Sequence, residues 1–246
     1  MTQDWDSIRE LIAEGCRVLA ARDLAPGILG HISVRLDDNL LAVRCRGPQE
    51  RGLAFTTAED VRVVTFDGAE GAPGELAGGH TPPHELPLHS ETLRHRPDID
   101  CVVHAHPAAV VAADLAGIEI RPIVGAYDIP GSALARAGIP VHPRSVLIRR
   151  ADLAEEMVAS LGAKSAVLLR GHGMTVVGAS VQEAVLRSVS IGSIAALSLA
   201  VRQAGGTLVD ISEADTAELP DLGGSLNLAT AWRHEVARMS PQPSTG

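Results

Sequence analysis

The chain has 246 residues, 46% of them hydrophobic but only 2% aromatic, and a formal net charge of -9. Its length suits one sizeable domain that needs no disulfide or metal staple. The acid excess, without a Lys/Arg cluster, argues against nucleic-acid partners.

Apolar residues Ile8, Leu11, Ile12, Cys16, Val18 and Leu19 form a helical stripe over residues 4 to 22. Past Pro26-Gly27, three short alternating segments (Ile32 to Leu36, Leu40 to Cys45, Val61 to Phe66) predict an antiparallel meander. The Gly-, Pro- and His-rich stretch Gly68 to Glu85 predicts a loop leading into a helix at Leu86 to Arg96. Ile99 to His104 is a nearly continuous apolar run, the pattern of a buried strand. Further helices are expected at Ala108 to Ala116, Ser132 to Ala137, Ala151 to Leu161 and Ser180 to Ala204. Strands are expected at Ser145 to Ile148, Ser165 to Leu169 and Met174 to Val177.

The class is therefore α/β, with one domain over residues 1–239 and a Pro- and Ser-rich tail over 240–246 expected to be disordered. The polar, acidic start and the lack of an apolar run of roughly 18 residues predict a cytoplasmic protein with no membrane partner. Three cysteines without CxxC spacing read as reduced thiols.

His104 and His106 lie two apart at the end of a predicted strand, so their side chains share a face and can meet one ion. Pro107 then ends the strand. His172, between Gly171 and Gly173 after another strand, is the third candidate ligand. Three imidazoles with an open coordination position suit a Lewis-acid site for Zn²⁺, Mn²⁺ or Fe²⁺. Glu85 stands at a loop-to-helix junction, where its neighbours alone mark it as a first-turn acid favoured by the helix dipole.

Four segments carry a resemblance: Gly30-His-Ile-Ser-Val-Arg35, Glu85 four before His89, Val103-His-Ala-His-Pro107 and Leu169-Arg-Gly-His-Gly173. In order and spacing, over about residues 7 to 205, the chain resembles the class II aldolase/adducin family. The resemblance implies a three-layer fold with a central, mainly antiparallel sheet flanked by helices. It also implies a divalent metal on His104, His106 and His172, and Glu85 exchanging protons at the reacting carbon.

Sugar-phosphate aldolases of that family carry an Asn, a Thr-Pro-x-Gly turn and a Ser-Ser pair where this chain has His31, Arg44 to Arg51, and Pro83-His84. His31, Ser33, Arg44, Arg46 and His84 are the expected substrate contacts, with His80 nearby, and guanidinium groups suit a carboxylate. The pattern resembles the branch that decarboxylates hydroxylated aromatic or pyridine dicarboxylates such as 3,4-dihydroxyphthalate. The alternative is an aldolase or dehydratase acting on a sugar phosphate. Tyr127, the single tyrosine, is the candidate for a catalytic residue reaching a neighbouring subunit. The resemblance further implies a homotetramer with sites at subunit interfaces, where Trp232 or His234 could enter a neighbour's pocket.

Overall fold

The computed structural model describes residues 5–222 and 225–239, so the expected tail lies outside the described residues. The opening stripe forms α1 (Trp5–Ala21), and the meander forms β1 (His31–Arg35), β2 (Leu40–Arg44) and β3 (Val61–Thr65). There follow α2 (Leu86–His95), β4 (Cys101–Ala105), α3 (Ala108–Leu115), α4 (Ile129–Ala137), β5 (Val141–His142), α5 (Ala151–Leu161), β6 (Ala166–Leu169), β7 (Gly173–Gly178) and α6 (Val181–Gln203). Two C-terminal helices, α7 (Glu213–Ala217) and α8 (Ser225–Met239), have no counterpart in the sequence reading.

Among the described residues the strands make one seven-stranded sheet in the order β3-β2-β1-β4-β7-β6-β5. Every pairing is antiparallel except β5 with β6. β4 lies in the middle, paired on both edges and buried at all five positions, which is why its sequence lacks alternation.

Two apolar layers flank the sheet. On one face Ile32, Val103, Met174 and Val176 pack with Ile12, Leu19, Val185 and Ile194 of α1 and α6. On the other, Val43, Val102, Val167 and Val177 meet Leu88, Leu93, Met157 and Leu161 of α2 and α5. α6 is long and apolar enough to cross a membrane by length and composition. Its Val181, Val185, Ile191 and Ile194 lie in the core instead.

Two expectations are corrected. Ser145 to Ile148 is not a strand; the buried Ile148 donates its amide N–H to Glu85 Oε1 at 2.9 Å instead of to a neighbouring strand. The strand at this edge is the two-residue β5, enclosed by Pro140 and Pro143, too short to leave a periodic signal. Trp232 does not reach toward a neighbour, because it packs into its own core and its indole N–H donates to Glu14 Oε2 at 2.9 Å. His234 is exposed on the same helix.

α8 is tied to α1 by that bond, and to the residue that follows α1 by a two-pronged pair in which Arg22 Nε donates to Glu235 Oε2 at 2.6 Å and Nη2 to Oε1. Glu235 is 5% exposed. Glu235→Ala is expected to destabilise the fold by about 1–3 kcal/mol, because it strands a partly buried guanidinium. Chemical denaturation checks this, and an unchanged midpoint would refute the anchoring role.

Cys16, Cys45 and Cys101 are free and buried. Burial pushes the Cys16 and Cys45 thiols up to about 12, as expected of structural thiols.

Candidate metal centre

The sheet register assembles the site. His31 of β1 and Thr175 of β7 are the cross-strand partners of His104 of β4, so all three side chains share the face covered by α2. His106 lies two residues on, just past the strand end, where its amide N–H donates to Leu24 O at 3.0 Å. His172 comes from the β6–β7 turn, and that turn is fixed from outside. Gly171 N–H donates to Asp114 Oδ2 of α3 at 2.7 Å, and Arg170 pairs with the same carboxylate at 3.1 Å.

Both glycines beside His172 are required by geometry. Gly171 has φ +59, and a Cβ on Gly173 would stand 2.3 Å from Ala105 O and 2.9 Å from His106 Cδ2. Gly173→Ala must therefore displace the His106 ring. An expected loss of about 10–100-fold in metal affinity follows, like that of other residues that orient ligands; metal titration checks it, and wild-type affinity would contradict it.

Ligating atoms of Glu85, His104, His106 and His172 all lie within 4.8 Å of one another. His104 Nδ1 donates to Met174 O at 3.1 Å, which turns Nε2 toward the cluster. That Nε2 is 2.7 Å from His106 Nε2 and 3.3 Å from Glu85 Oε2, while His172 Nε2 is 3.8 Å from the same oxygen. Burial, then the neighbouring His104 and His172, pushes His106 down to about 3, so it is neutral at pH 7 and able to bind a cation. Three imidazoles and one carboxylate fit Zn²⁺, Mn²⁺ or Fe²⁺ by donor type.

Glu85 precedes α2 but makes no side-chain cap there. Its Oε1 accepts from Ile148 N–H and its Oε2 faces the imidazoles. Burial would raise its pKa; the facing His104 ring, then His172 and the Ile148 amide, outweigh that and hold it at about 2. It is a buried carboxylate poised at the cluster, which the local sequence, read as a dipole-compensating acid, did not reveal.

Of the expected substrate contacts, His31 stacks on His104 with ring centroids 5.1 Å apart and planes at 26°. Ser33 is wholly buried, and its hydroxyl is held by His89 Nδ1 at 2.7 Å instead of facing a pocket. Arg44 extends from the opposite face of the sheet, where it pairs with Glu50 and donates to Gly30 O at 3.4 Å. Arg46 is half-buried, with no ion-pair partner among the described residues, and its backbone bridges to Thr81 just before the Pro82-Pro83-His84-Glu85 segment. His84 is exposed on that segment, while His80 faces the Arg62 guanidinium at 3.2 Å. Tyr127 is 73% exposed and makes no hydrogen bond to the cluster. His89, which the resemblance marks only by its spacing of four from Glu85, one helical turn, stands behind His31 and Ser33.

Residues 10–199 match the class II aldolase and adducin N-terminal domain. The chain belongs to the class II aldolase and adducin family. Within it, this member is 60% identical to a 3,4-dihydroxyphthalate decarboxylase of Arthrobacter keyseri, over 98% of this chain and 99% of that one. It is 54% identical to one of Rhodococcus jostii strain RHA1, over 96% and 97%. An L-fuculose phosphate aldolase of Escherichia coli O6:H1 is 26% identical, over 70% and 74%. Among solved structures, an aldolase II superfamily protein from Pseudomonas syringae shares the fold with a TM-score of 0.80 at 21% identity, over 97% of this chain and 94% of that one.

Proposed function

We propose that this family member is a divalent-metal-dependent lyase that decarboxylates a hydroxylated aromatic dicarboxylate, 3,4-dihydroxyphthalate being the substrate named for its relatives. The observation that carries the reading is the 60% identity along 98% of the chain to a decarboxylase of that substrate. The cluster of Glu85 with three histidines supports it, because it offers the chemistry such a cleavage needs.

Loss of one carboxylate breaks the bond between a ring carbon and the carboxylate carbon, releases carbon dioxide and leaves an electron pair on that ring carbon, which must take up one proton. A divalent cation on His104, His106 and His172 would act as a Lewis acid that draws electron density toward the substrate's oxygens. Glu85, held by the Ile148 amide, can accept a phenolic proton and return it to the ring carbon. Because Glu85 is ionised at rest, it must gain its proton from the substrate before it can act as an acid. His31, Arg46 and His84 are assigned to the carboxylate that is retained, and the Arg46 guanidinium, without an ion-pair partner among the described residues, suits it.

The reading extends to a cytoplasmic enzyme of aromatic catabolism, assembled as a homotetramer with sites at subunit interfaces. The exposure of Tyr127 is what a residue serving a neighbour's site requires.

Incubating the metal-loaded protein with 3,4-dihydroxyphthalate tests the proposal: equimolar carbon dioxide and a dihydroxybenzoate are expected. Aldehyde from fuculose 1-phosphate, with no carbon dioxide from the dicarboxylate, would reject it in favour of the aldolase alternative.

A further inference from the structure

Behind His31 lies a short polar chain that the metal cluster does not include. His89 of α2 is wholly buried and uses both ring nitrogens: Nε2 is 2.8 Å from His31 Nδ1, and Nδ1 is 2.7 Å from Ser33 Oγ. Ser33 is also wholly buried, and His31 is 5% exposed. Two ring nitrogens 2.8 Å apart need a proton on one and a lone pair on the other, so the protons can run in only two directions.

In the outward direction Ser33 O–H donates to His89 Nδ1, His89 Nε2–H donates to His31 Nδ1, and His31 carries its own proton on Nε2. In the reverse direction His31 Nδ1–H and His89 Nδ1–H donate instead. The Ser33 hydroxyl proton is then left without an acceptor among the described residues, inside a strand shut off from water. An unmade buried donor is costly, whereas an unused hydroxyl lone pair is tolerated. The outward direction is favoured.

We propose that Ser33 and His89 are positioning residues that lock His31 in its Nε2–H tautomer, making it a neutral hydrogen-bond donor to an anionic oxygen of the substrate. His31 is placed for this because it is the cross-strand partner of His104 and stacks on its ring at the edge of the cluster, without belonging to the ligand group. Neutrality matters there. A cationic donor would be repelled by a divalent ion nearby, whereas a neutral N–H can serve a carboxylate beside that ion. The identity of the anion rests on the proposed function; the tautomer does not.

The test uses zinc-loaded protein labelled with ¹⁵N-histidine, whose long-range ¹H–¹⁵N spectra report the proton position on each ring without substrate. His31 is expected with a protonated Nε2 and a bare Nδ1. Ser33→Ala is expected to abolish that single tautomer and Ser33→Thr, which keeps the hydroxyl, to restore it. In kinetics with 3,4-dihydroxyphthalate, Ser33→Ala should raise KM by about 10-fold, the scale of one hydrogen bond to a charged group, with a smaller change in kcat and unchanged zinc content. Ser33→Thr should recover KM. A protonated Nδ1 on His31, or a Ser33→Ala protein with the wild-type tautomer, would overturn the inference. Failure of the wild-type protein to release carbon dioxide would count against the proposed function and leave the tautomer result standing.

Discussion

His104→Ala will yield a protein that no longer retains a stoichiometric divalent cation and has lost decarboxylation. His104 is fully buried on a strand paired along both edges, so the sheet fixes where its ring stands. Its Nδ1 bond to the Met174 carbonyl fixes which nitrogen faces the cluster, and that Nε2 is the atom nearest both His106 and Glu85. Removal leaves two imidazoles and also frees the Glu85 carboxylate from its strongest hydrogen-bonding neighbour. The loss in kcat/KM should exceed the roughly 10–100-fold typical of residues that merely orient a ligand. Metal analysis of the purified variant, alongside carbon dioxide release, checks both parts. One metal ion per chain with wild-type turnover would remove His104 from the centre.

Glu85→Gln should separate metal binding from proton transfer. The amide fits the same space and can still accept the Ile148 N–H, and the three histidines are untouched, so the metal content should persist. What disappears is the group that moves a proton, at an expected cost of about 10²–10⁴ in kcat. The pH dependence sharpens the test. Glu85 titrates near 2 in the folded protein, below its ordinary 4.5. Its ionised form therefore adds stability that is complete above the unfolded value and is lost as pH falls through about 2. From pH 5.5 to 8 it is an anion throughout, so the ratio of wild-type to Glu85→Gln activity should be the same at both ends. A ratio that collapses at pH 5.5 would show that Glu85 titrates in this range and contradict the assignment.

Much of this architecture is written in local patterns. The stripe of α1, the alternation of the β1–β3 meander and the continuous apolar run of β4 each placed an element to within about two residues, because those patterns report burial directly. α8 escaped because its register is held by polar contacts, Arg22 with Glu235 and Glu14 with Trp232, from residues over 200 positions away. Ser145 to Ile148 was misread for a related reason: its apolar residues are strand-like, but the Ile148 amide is taken by a carboxylate 63 residues earlier.

By itself the sequence determined that His104 and His106 share a face and that His172 occupies a glycine-flanked turn, since strand periodicity and glycine's conformational freedom are local properties. Tertiary structure alone decided which polar groups meet. Strand register set His31 against His104, helix packing brought His89 between His31 and Ser33, and a loop amide turned Glu85 from a plausible helix-terminal acid into a buried carboxylate at the cluster. It also turned Arg44 toward Glu50 and Gly30 on the opposite side of the sheet. The physical reason is common to all of these. Hydrogen bonds and charges act over a few ångströms in space, and a sequence records neighbours along the chain, not across it.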